Sequence, residues 1–247
     1  MMLRIPQELQ KYVRMSKKEG LIHSDDMPEE LLSLFEETKR NAAKAEHDHK
    51  YELERLMSEN HNYTYADMQQ WEESTLTELI EGQRIVKTSP WMAHHRVFGN
   101  LLLLLSNQLH QNKEYQLLHY IGIAPFAKPD DQPQDIDTVV IPDISILKQS
   151  HPMIDDSCFA GPPELIIEVL EERTKDYEEQ TKLKLYECAG IPEVWFVYAE
   201  RKEVVVYRYN GKSFDVPEVL KESDGSDGIV PNHVTGGSIP LSEIFGK

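Results

Sequence analysis

The sequence predicts a domain of the α/β or α+β class that follows an N-terminal helical extension. From about residue 64 onward, apolar runs typical of strands alternate with runs of helical periodicity, and no segment is repeated or of low complexity. Before that point the chain has the pattern of charged helices. The length of 247 residues suffices for one good-sized domain with an appendage. We therefore predict an extension over residues 1–62 and a domain over residues 63–247.

The extension is predicted to consist of helices. SDDMPEELLSLFEE offers Asp26 as a cap and Pro28 near the first turn of a helix, with acidic residues early in it. The charged helix that continues from it has only a thin apolar stripe, which suits packing on a partner better than standing alone. HNYTY, at residues 61–65, breaks the pattern. We therefore expect the extension to supply the surface of a homodimer or of another partner.

The first half of the domain is predicted to mix helices and strands. TYADMQQWEES indicates a short helix, and ELIEGQRIVK indicates two strands joined at Glu81-Gly82. After Ser89-Pro90, AHHRVFGNLLLLLSNQLHQNK has the periodicity of an amphipathic to buried helix. YQLLHYIGIAPFA and TVVIPDISIL each indicate one strand, and a loop with Asp155-Asp156 follows the second.

The second half continues the alternation. GPPELIIEVLEE indicates a turn that leads into a strand rich in β-branched residues. TKDYEEQTKLKLYECAG indicates a helix with Gly190 beyond its end. EVWFVYAERKEVVVYRYNGKSF indicates a hairpin that turns at residues 200–202, with a second turn at Asn210-Gly211. SIPLSEIFG is a short terminal element.

Charge and composition restrict the function and the compartment. The formal net charge of −17 argues against a broad electrostatic grip on DNA or RNA, because phosphate neutralisation drives non-specific binding. It leaves open a metal-dependent site that handles one phosphate locally. The longest apolar run, residues 101–105, is too short to cross a membrane, and the first residues do not form a signal peptide. Two cysteines without ligand spacing, Cys158 and Cys188, indicate packed thiols in a reducing cytoplasm.

Two acidic residues lie inside apolar strands and therefore need partners. They are Asp143 in IPDISIL and Glu168 in LIIEVL. An ionised carboxylate among apolar neighbours is costly to desolvate, and two on adjacent strands repel each other unless a cation neutralises them. Mg²⁺ takes carboxylate oxygens and leaves positions for water and a substrate phosphate. Lys182, on the helix after the Glu168 strand, is placed to return towards that strand and to assist an attacking water.

Each of these residues also has an ordinary structural explanation. An acid at a strand end is commonly a solvated rim or cap residue, and Pro142 favours a strand start where Asp143 is wet. A lysine in a helix that carries Glu178, Glu179 and Lys184 is commonly part of a surface ion pair. The spacing alone leaves these alternatives open.

From Thr64 to Phe245 the chain resembles the Uma-type restriction endonuclease family, which belongs to the PD-(D/E)XK nuclease-like superfamily. It has, in order, TYADMQQW, ELIEG, SPWMAHHRVFGNL, IPDISIL, GPPELIIEVL, KLKLYECAGIPEVWFV and IPLSEIF. The resemblance implies a restriction-endonuclease-like core, with a central mixed β-sheet flanked by helices. It also implies that Asp143 and Glu168 hold Mg²⁺, for which Mn²⁺ can substitute, and that DNA is the substrate. No organic cofactor is expected.

The resemblance implies roles for three more residues. Leu170 stands where the simple E-x-K pattern has its lysine, so the lysine has migrated to Lys182, which matches the family's helix. Glu78 in ELIEG matches an early acid that touches the metal directly or through water; an exposed strand-start glutamate is the alternative. His94 matches a histidine that contacts phosphate or positions water, with a capping or packed histidine as the alternative. Weaker candidates for the same work are its neighbours, His95 and Arg96.

The chain also departs from the family pattern. Where relatives have a stretch like Ser-Pro-Ser-Thr after the Glu168 strand, this chain has EERT, and its Glu171 and Glu172 add negative charge beside the expected site. Glu178 stands where an aspartate is more usual. We expect these acids to make the approach of DNA less favourable.

Two functions are consistent with these patterns. The first is a Mg²⁺-dependent endonuclease that hydrolyses DNA phosphodiester bonds, with Asp143 and Glu168 as metal ligands, Lys182 at the attacking water and Glu78 as an accessory acid. The second is a catalytically silent interaction module that keeps the nuclease fold and acts through its extension and dimerisation. The net charge and the added acids favour the second function.

Overall fold

A six-stranded mixed β-sheet is the centre of the fold. The structure is a computed structural model, and it describes residues 62–71, 76–87, 90–110, 112–172, 175–224, 228–232 and 237–246. Of residues 175–178 it describes the backbone alone. The predicted helical extension over residues 1–62 lies outside the described residues except for its last residue. The extension, its boundary and the homodimer that depends on it therefore stay predictions.

The described elements alternate between helix and strand, as the sequence predicts. They are α1 (Tyr65–Met68), β1 (Thr77–Ile80), β2 (Gln83–Val86), α2 (Met92–Leu109), β3 (Tyr115–His119), β4 (Gly122–Ala124), β5 (Ile144–Lys148), β6 (Met153–Asp155), β7 (Cys158–Ala160), β8 (Leu165–Leu170), α3 (Lys175–Ala189), β9 (Glu193–Tyr198), β10 (Glu203–Arg208), β11 (Glu218–Lys221) and α4 (Leu241–Phe245).

The large sheet has the strand order β11-β10-β9-β8-β5-β3. Its only parallel pair among the described strands is β8 and β9; the other neighbours are antiparallel. Parallel neighbours need a crossover connection, and α3 provides it between β8 and β9. Two smaller sheets, β1-β2 and β4-β7-β6, complete the strand set.

Helices cover both faces of the large sheet. α2 packs on one face through apolar side chains that recur every turn: Val97, Leu101, Leu105 and Leu109. On the other face, Leu185 and Tyr186 of α3 enter a second apolar cluster. Side chains of β8 alternate between these two clusters, which places Glu168 on the face that α3 covers.

Three sequence predictions of local structure are wrong in detail. YQLLHYIGIAPFA is two strands of different sheets, because the chain turns at Tyr120 with a positive φ of 50°. In TVVIPDISIL only Ile144–Lys148 is a strand, since Pro142 has no N–H to donate, while Val139 and Val140 form isolated bridges to the smaller sheets. The loop predicted around Asp155-Asp156 begins with the short strand β6.

The sequence predicts packed thiols and no membrane-spanning segment, and the structure describes both thiols and most of the helices. Cys158 is buried, whereas Cys188 is exposed, so packing was predicted correctly for the first thiol alone. Among the described residues, no helix combines the length and the apolar character that crossing a membrane requires.

Asp155 connects β6 to α1 through its two carboxylate oxygens. Oδ1 accepts hydrogen bonds of 2.8 Å from the backbone N–H and the hydroxyl of Ser157. Oδ2 accepts bonds of 2.8 Å from the Tyr65 hydroxyl and the Gln69 amide. Burial opposes ionisation, but the bonds from Ser157, Tyr65 and Gln69 outweigh it and hold the pKa of Asp155 below its ordinary value.

We expect Asp155→Ala to lower the free energy of unfolding by about 1–3 kcal/mol at neutral pH, since these bonds are made to a charged acceptor. A depressed folded-state pKa contributes stability above the unfolded value of 3.8, and this contribution is lost as the pH falls through the folded-state pKa. The difference between wild type and variant in urea unfolding should therefore shrink in acid. The exposed neighbour provides the control, and Asp156→Ala should leave stability nearly unchanged at both pH values.

Candidate active site

Strand pairing brings Asp143 and Glu168 together on one side of the large sheet. Ile144 of β5 pairs with Ile167 of β8, so the next position along sets Asp143 opposite Glu168. The backbone N–H of Val169 donates a 2.7 Å hydrogen bond to Asp143 Oδ2, which fixes that carboxylate against β8. Both acids are buried. The alternative of a solvated strand-start aspartate is therefore wrong.

Lys182 joins Glu168 to Glu78. Its Nζ lies 2.8 Å from Glu168 Oε1 and 2.9 Å from Glu78 Oε1, and all three side chains are only 1% exposed. One helical turn later, the Tyr186 hydroxyl donates a 2.5 Å hydrogen bond to the same Glu168 oxygen. Burial raises the pKa of Tyr186 well above its ordinary value, and the Glu168 charge adds to this effect, so the hydroxyl keeps its proton. The alternative of a surface ion pair for Lys182 is wrong.

Glu78 reaches this cluster from the small β1-β2 sheet. A bridge between Leu79 and Val139 docks β1 beside the segment that leads to Asp143. Glu78 Oε1 accepts a 2.9 Å hydrogen bond from the N–H of Ile141 in addition to its contact with Lys182. Burial alone would raise the pKa of Glu78, but the charge of Lys182 and other cationic and hydrogen-bonding partners hold it below its ordinary value. The exposed alternative for Glu78 is wrong, and its predicted contact with metal stays a prediction.

Lys87, which follows β2, is a member of the site that the sequence prediction missed. Its Nζ lies 3.7 Å from Glu168 Oε2 and 3.9 Å from Glu78 Oε1, and it donates a 3.2 Å hydrogen bond to the carbonyl of Ile141. Burial and the charge of Lys182 lower the pKa of Lys87, but the surrounding carboxylates outweigh them and raise it. Strand pairing in the hairpin could have placed Lys87 on the same side of the sheet as Glu78. Glu78 pairs with Ile85, and Lys87 lies two residues further along the strand.

His94 binds Asp143 from the other flank. Its Nε2 is 3.1 Å from Asp143 Oδ2. Burial lowers the pKa of His94, but this bond to Asp143 outweighs burial and raises it. Burial by itself raises the pKa of Asp143, whereas Lys87, His94 and the Val169 N–H lower it to about 2. The weaker candidates, His95 and Arg96, are exposed on the same helix.

The two acids of the EERT stretch point in different directions. Glu171 is buried, and its carboxylate accepts a hydrogen bond from the backbone N–H of Trp91, just before α2. Glu172 is exposed and pairs with Arg201, whose Nη2 donates to it at 3.1 Å. The side chain of Glu178 lies outside the described residues. Of the two acids, Glu171 adds charge near His94 as the sequence suggests, and Glu172 is bound by Arg201.

Tyr120 is a second residue that the sequence prediction missed. Its backbone adopts a φ of 50°, which is uncommon for a residue other than glycine, and its N–H donates to the carbonyl of Pro142 at 3.2 Å. Burial raises the pKa of the Tyr120 hydroxyl, and the charges of Asp143 and Glu168 add to this effect. The strained backbone thus sets a protonated phenol beside Asp143.

The donors at this site fit a divalent cation in their chemistry. No group of three or more His, Cys, Asp or Glu side chains in the described part of the chain is arranged to hold a metal. Asp143 and Glu168 nevertheless provide two neighbouring carboxylates, and Glu168 Oε2 is buried with no hydrogen-bond partner among the described residues. Mg²⁺ is commonly held by one or two carboxylates, with water and substrate phosphate as its remaining ligands. The set therefore fits Mg²⁺ or Mn²⁺ that binds together with substrate.

Comparison with known protein families identifies the family of this chain. The model of the Uma2 family, described as "Putative restriction endonuclease", matches residues 65–233, which is more than half of the chain. The chain belongs to the Uma2 family. Its Uma2 region contains the acids, the lysines and the histidine of the candidate site. The family predicted from the sequence motifs is confirmed.

A solved structure supports the Uma2 assignment at the level of the fold. A "putative nuclease" of the DUF820 family from Anabaena variabilis superposes with a TM-score of 0.58 at 19% sequence identity. The match covers 74% of this Uma2 chain and 97% of that chain. The comparison with curated proteins finds no match. The predicted α+β fold with a central mixed sheet is therefore confirmed.

Proposed function

We propose that this Uma2 protein is an endonuclease that hydrolyses DNA phosphodiester bonds with the help of Mg²⁺ or Mn²⁺. The observation that carries the proposal is the convergence of Asp143, Glu168 and Lys182 from three separate elements into one buried cluster. A buried carboxylate oxygen without a hydrogen-bond partner among the described residues, Glu168 Oε2, is the atom of this cluster best suited to bind a cation.

Asp143 and Glu168 would hold the divalent ion. When bound, such an ion supplies a Lewis acid that lowers the pKa of a water molecule and neutralises charge on a phosphate. The low pKa of Asp143, about 2, keeps this ligand ionised at any physiological pH. The N–H of Val169 and the imidazole of His94 fix its orientation, so the ligand does not need to reorganise when the ion arrives.

Lys182 would position the attacking water and stabilise negative charge that develops on the phosphate. Its contacts with Glu78 and Glu168 hold the ammonium group beside Glu168, the proposed metal ligand. Tyr186, one turn later in α3, fixes the Glu168 carboxylate by a hydrogen bond. In this proposal Glu78 acts on the reaction through Lys182. The bond to Asp143 outweighs burial and raises the pKa of His94, which would favour a positive charge beside the metal ligand.

A catalytically silent interaction module is the second candidate, and one observation favours it. The ammonium groups of Lys87 and Lys182 already lie within 4 Å of Glu78 and Glu168, so these acids are partly neutralised without a metal. A site balanced in this way fits a fold that is kept for its stability rather than for catalysis.

Cleavage and metal binding distinguish the two candidates. Wild-type protein should nick supercoiled plasmid in Mg²⁺ or Mn²⁺ and not in EDTA, and calorimetry should detect a divalent-ion site. We expect Glu168→Gln to abolish that binding and the cleavage, because the amide offers a neutral and weaker ligand. The matched control is Glu164→Gln, which alters a surface pair with Lys148 just before β8 and should leave both unchanged. Absence of both cleavage and ion binding in the wild type would favour the silent module.

Lys87→Met is expected to tighten divalent-ion binding by about tenfold or more, since a positive charge close to Glu168 repels an arriving cation. The same change should lower the thermal stability of the metal-free protein, because buried carboxylates lose a counter-charge. Calorimetry and thermal melts in EDTA measure the two effects. Lys148→Met, at an exposed lysine, is the control. Unchanged affinity in Lys87→Met would show that Lys87 does not oppose the metal.

A further inference from the structure

A row of aromatic rings leads from Asp143 to the protein surface. It begins at His94, whose ring stacks on Phe98 one turn later along α2, with centroids 6.3 Å apart and planes 20° apart. Phe98 in turn stacks on Tyr120, with centroids 5.1 Å apart and planes 26° apart. His119 meets both Phe98 and Tyr120 edge-on, at 5.8 and 5.7 Å. We call these four residues the ring row.

The ring row is open to solvent along part of its length. His119 is exposed, Phe98 and Tyr120 are half-buried, and only His94 is buried. His95, edge-on to His94 at 5.8 Å, adds another exposed ring beside the row. A set of rings made only for packing would be covered by other residues, whereas this one begins beside a candidate metal ligand, Asp143, and ends in solvent.

The arrangement includes a strained backbone at Tyr120. Tyr120 takes its positive φ between β3 and β4, at a position where glycine would be free of strain. A conformation of this kind is strained and persists only where the surroundings enforce it. Such strain is concentrated at functional sites, and at Tyr120 it stacks the ring on Phe98 next to Asp143.

The charge of the chain indicates what the ring row binds. With a net charge of −17, the protein has little means to hold a nucleic acid through its phosphates. Stacking of bases on aromatic rings needs no positive charge and tightens binding by roughly five- to 150-fold per base. It does need a base with an accessible face, and bases inside a duplex stack on each other instead.

We propose that the ring row stacks unpaired bases next to the scissile phosphate, and that the substrate of this site is therefore single-stranded DNA. This inference rests on the proposed nuclease function for its scissile bond, but the stacking itself is a binding property. Tyr120 provides the stacking face, Phe98 holds the Tyr120 ring from behind, and His119 provides the exposed end of the row. His94 connects the row to Asp143.

Binding is measured without cleavage, by fluorescence anisotropy of a labelled oligothymidylate in EDTA, against a duplex of the same length. We expect the wild type to prefer the single strand. Tyr120→Leu should weaken single-strand binding by about tenfold, the loss of one stacked base. Phe98→Leu should weaken it less, because Phe98 acts by supporting the Tyr120 ring. The exposed His119→Ala should weaken it in the same direction and carries little risk to the fold. Phe126→Leu, an exposed ring outside the row, should bind like wild type.

Each outcome bears on one proposal. Equal or tighter binding of the duplex by the wild type, or unchanged single-strand affinity in folded Tyr120→Leu and His119→Ala, would overturn the inference. Row-dependent binding of single strands in a protein that cleaves nothing would support the inference while contradicting the nuclease function. Plasmid cleavage by a protein whose single-strand affinity is unchanged in the ring-row variants would support the nuclease function and contradict the inference.

Discussion

Asp143→Asn is expected to reduce plasmid cleavage by at least about thousandfold while leaving the protein folded. The asparagine is isosteric, and its carbonyl can still accept the bonds from Val169 N–H and His94 that Asp143 Oδ2 accepts now. What it lacks is the negative charge that a hard divalent cation requires. Loss of several kilocalories per mole of charge stabilisation at the transition state corresponds to a rate loss of this size.

The measurement is the initial rate of supercoiled plasmid nicking in Mg²⁺ and in Mn²⁺, with thermal melts as the test of folding. Asp137→Asn, an exposed acid shortly before the same segment, is the matched control and should cleave like wild type. Cleavage by Asp143→Asn at the wild-type rate would remove Asp143 from the mechanism and would leave the nuclease without its first ligand.

Lys182→Met is expected to cause the largest loss of stability of any single change at the site. Lys182 is 1% exposed, and its ammonium lies 2.8 and 2.9 Å from two carboxylates that are equally buried. Removal of one charge from a buried network leaves the remaining charges poorly compensated, which costs about 3–5 kcal/mol. Cleavage should also be lost, because Lys182 would no longer position the attacking water.

Urea unfolding measures this effect, and two further variants sharpen it. Lys184→Met, at an exposed position two residues along α3, should change stability little. The double variant Lys182→Met with Glu78→Gln should recover part of the loss, since it removes one of the two acids that lose their nearest counter-charge. If Lys182→Met unfolds at the same urea concentration as Lys184→Met, the charge network does not stabilise the fold.

Elements with strong periodicity could be predicted from the sequence. β8, α3, β9 and β10 follow apolar patterns that local reasoning identifies, and Gly190 marks the end of α3 with a φ of 69°. Asp143 and Glu168 stood out because a carboxylate inside an apolar strand demands a partner. Lys182 was assigned through the family motif, and the structure brings it to Glu168, although the roles of all three residues stay predictions.

Lys87 and Tyr120 could not be predicted in the same way. Lys87 enters the site only because a bridge between Leu79 and Val139 docks the β1-β2 hairpin beside Ile141. Strand pairing places Lys87 on the same side as Glu78, but it does not predict where the hairpin docks. Tyr120 depends on a positive φ at a residue whose type gives no sign of it. Both positions are decided by tertiary contacts between segments that are distant in sequence.

The structure changes the expected effect of Glu171, one of the acids that depart from the family pattern. The N-cap residue of α2, Trp91, has no side-chain cap, and the N-terminal end of a helix carries a partial positive charge from its aligned peptide dipoles. The carboxylate of Glu171, bound to the N–H of Trp91, places a negative charge at that positive end. The acid that seemed to obstruct DNA is thus compensated by the helix macrodipole, while Glu172 is compensated by Arg201. Both added acids therefore have a local counter-charge, although the chain as a whole remains strongly acidic.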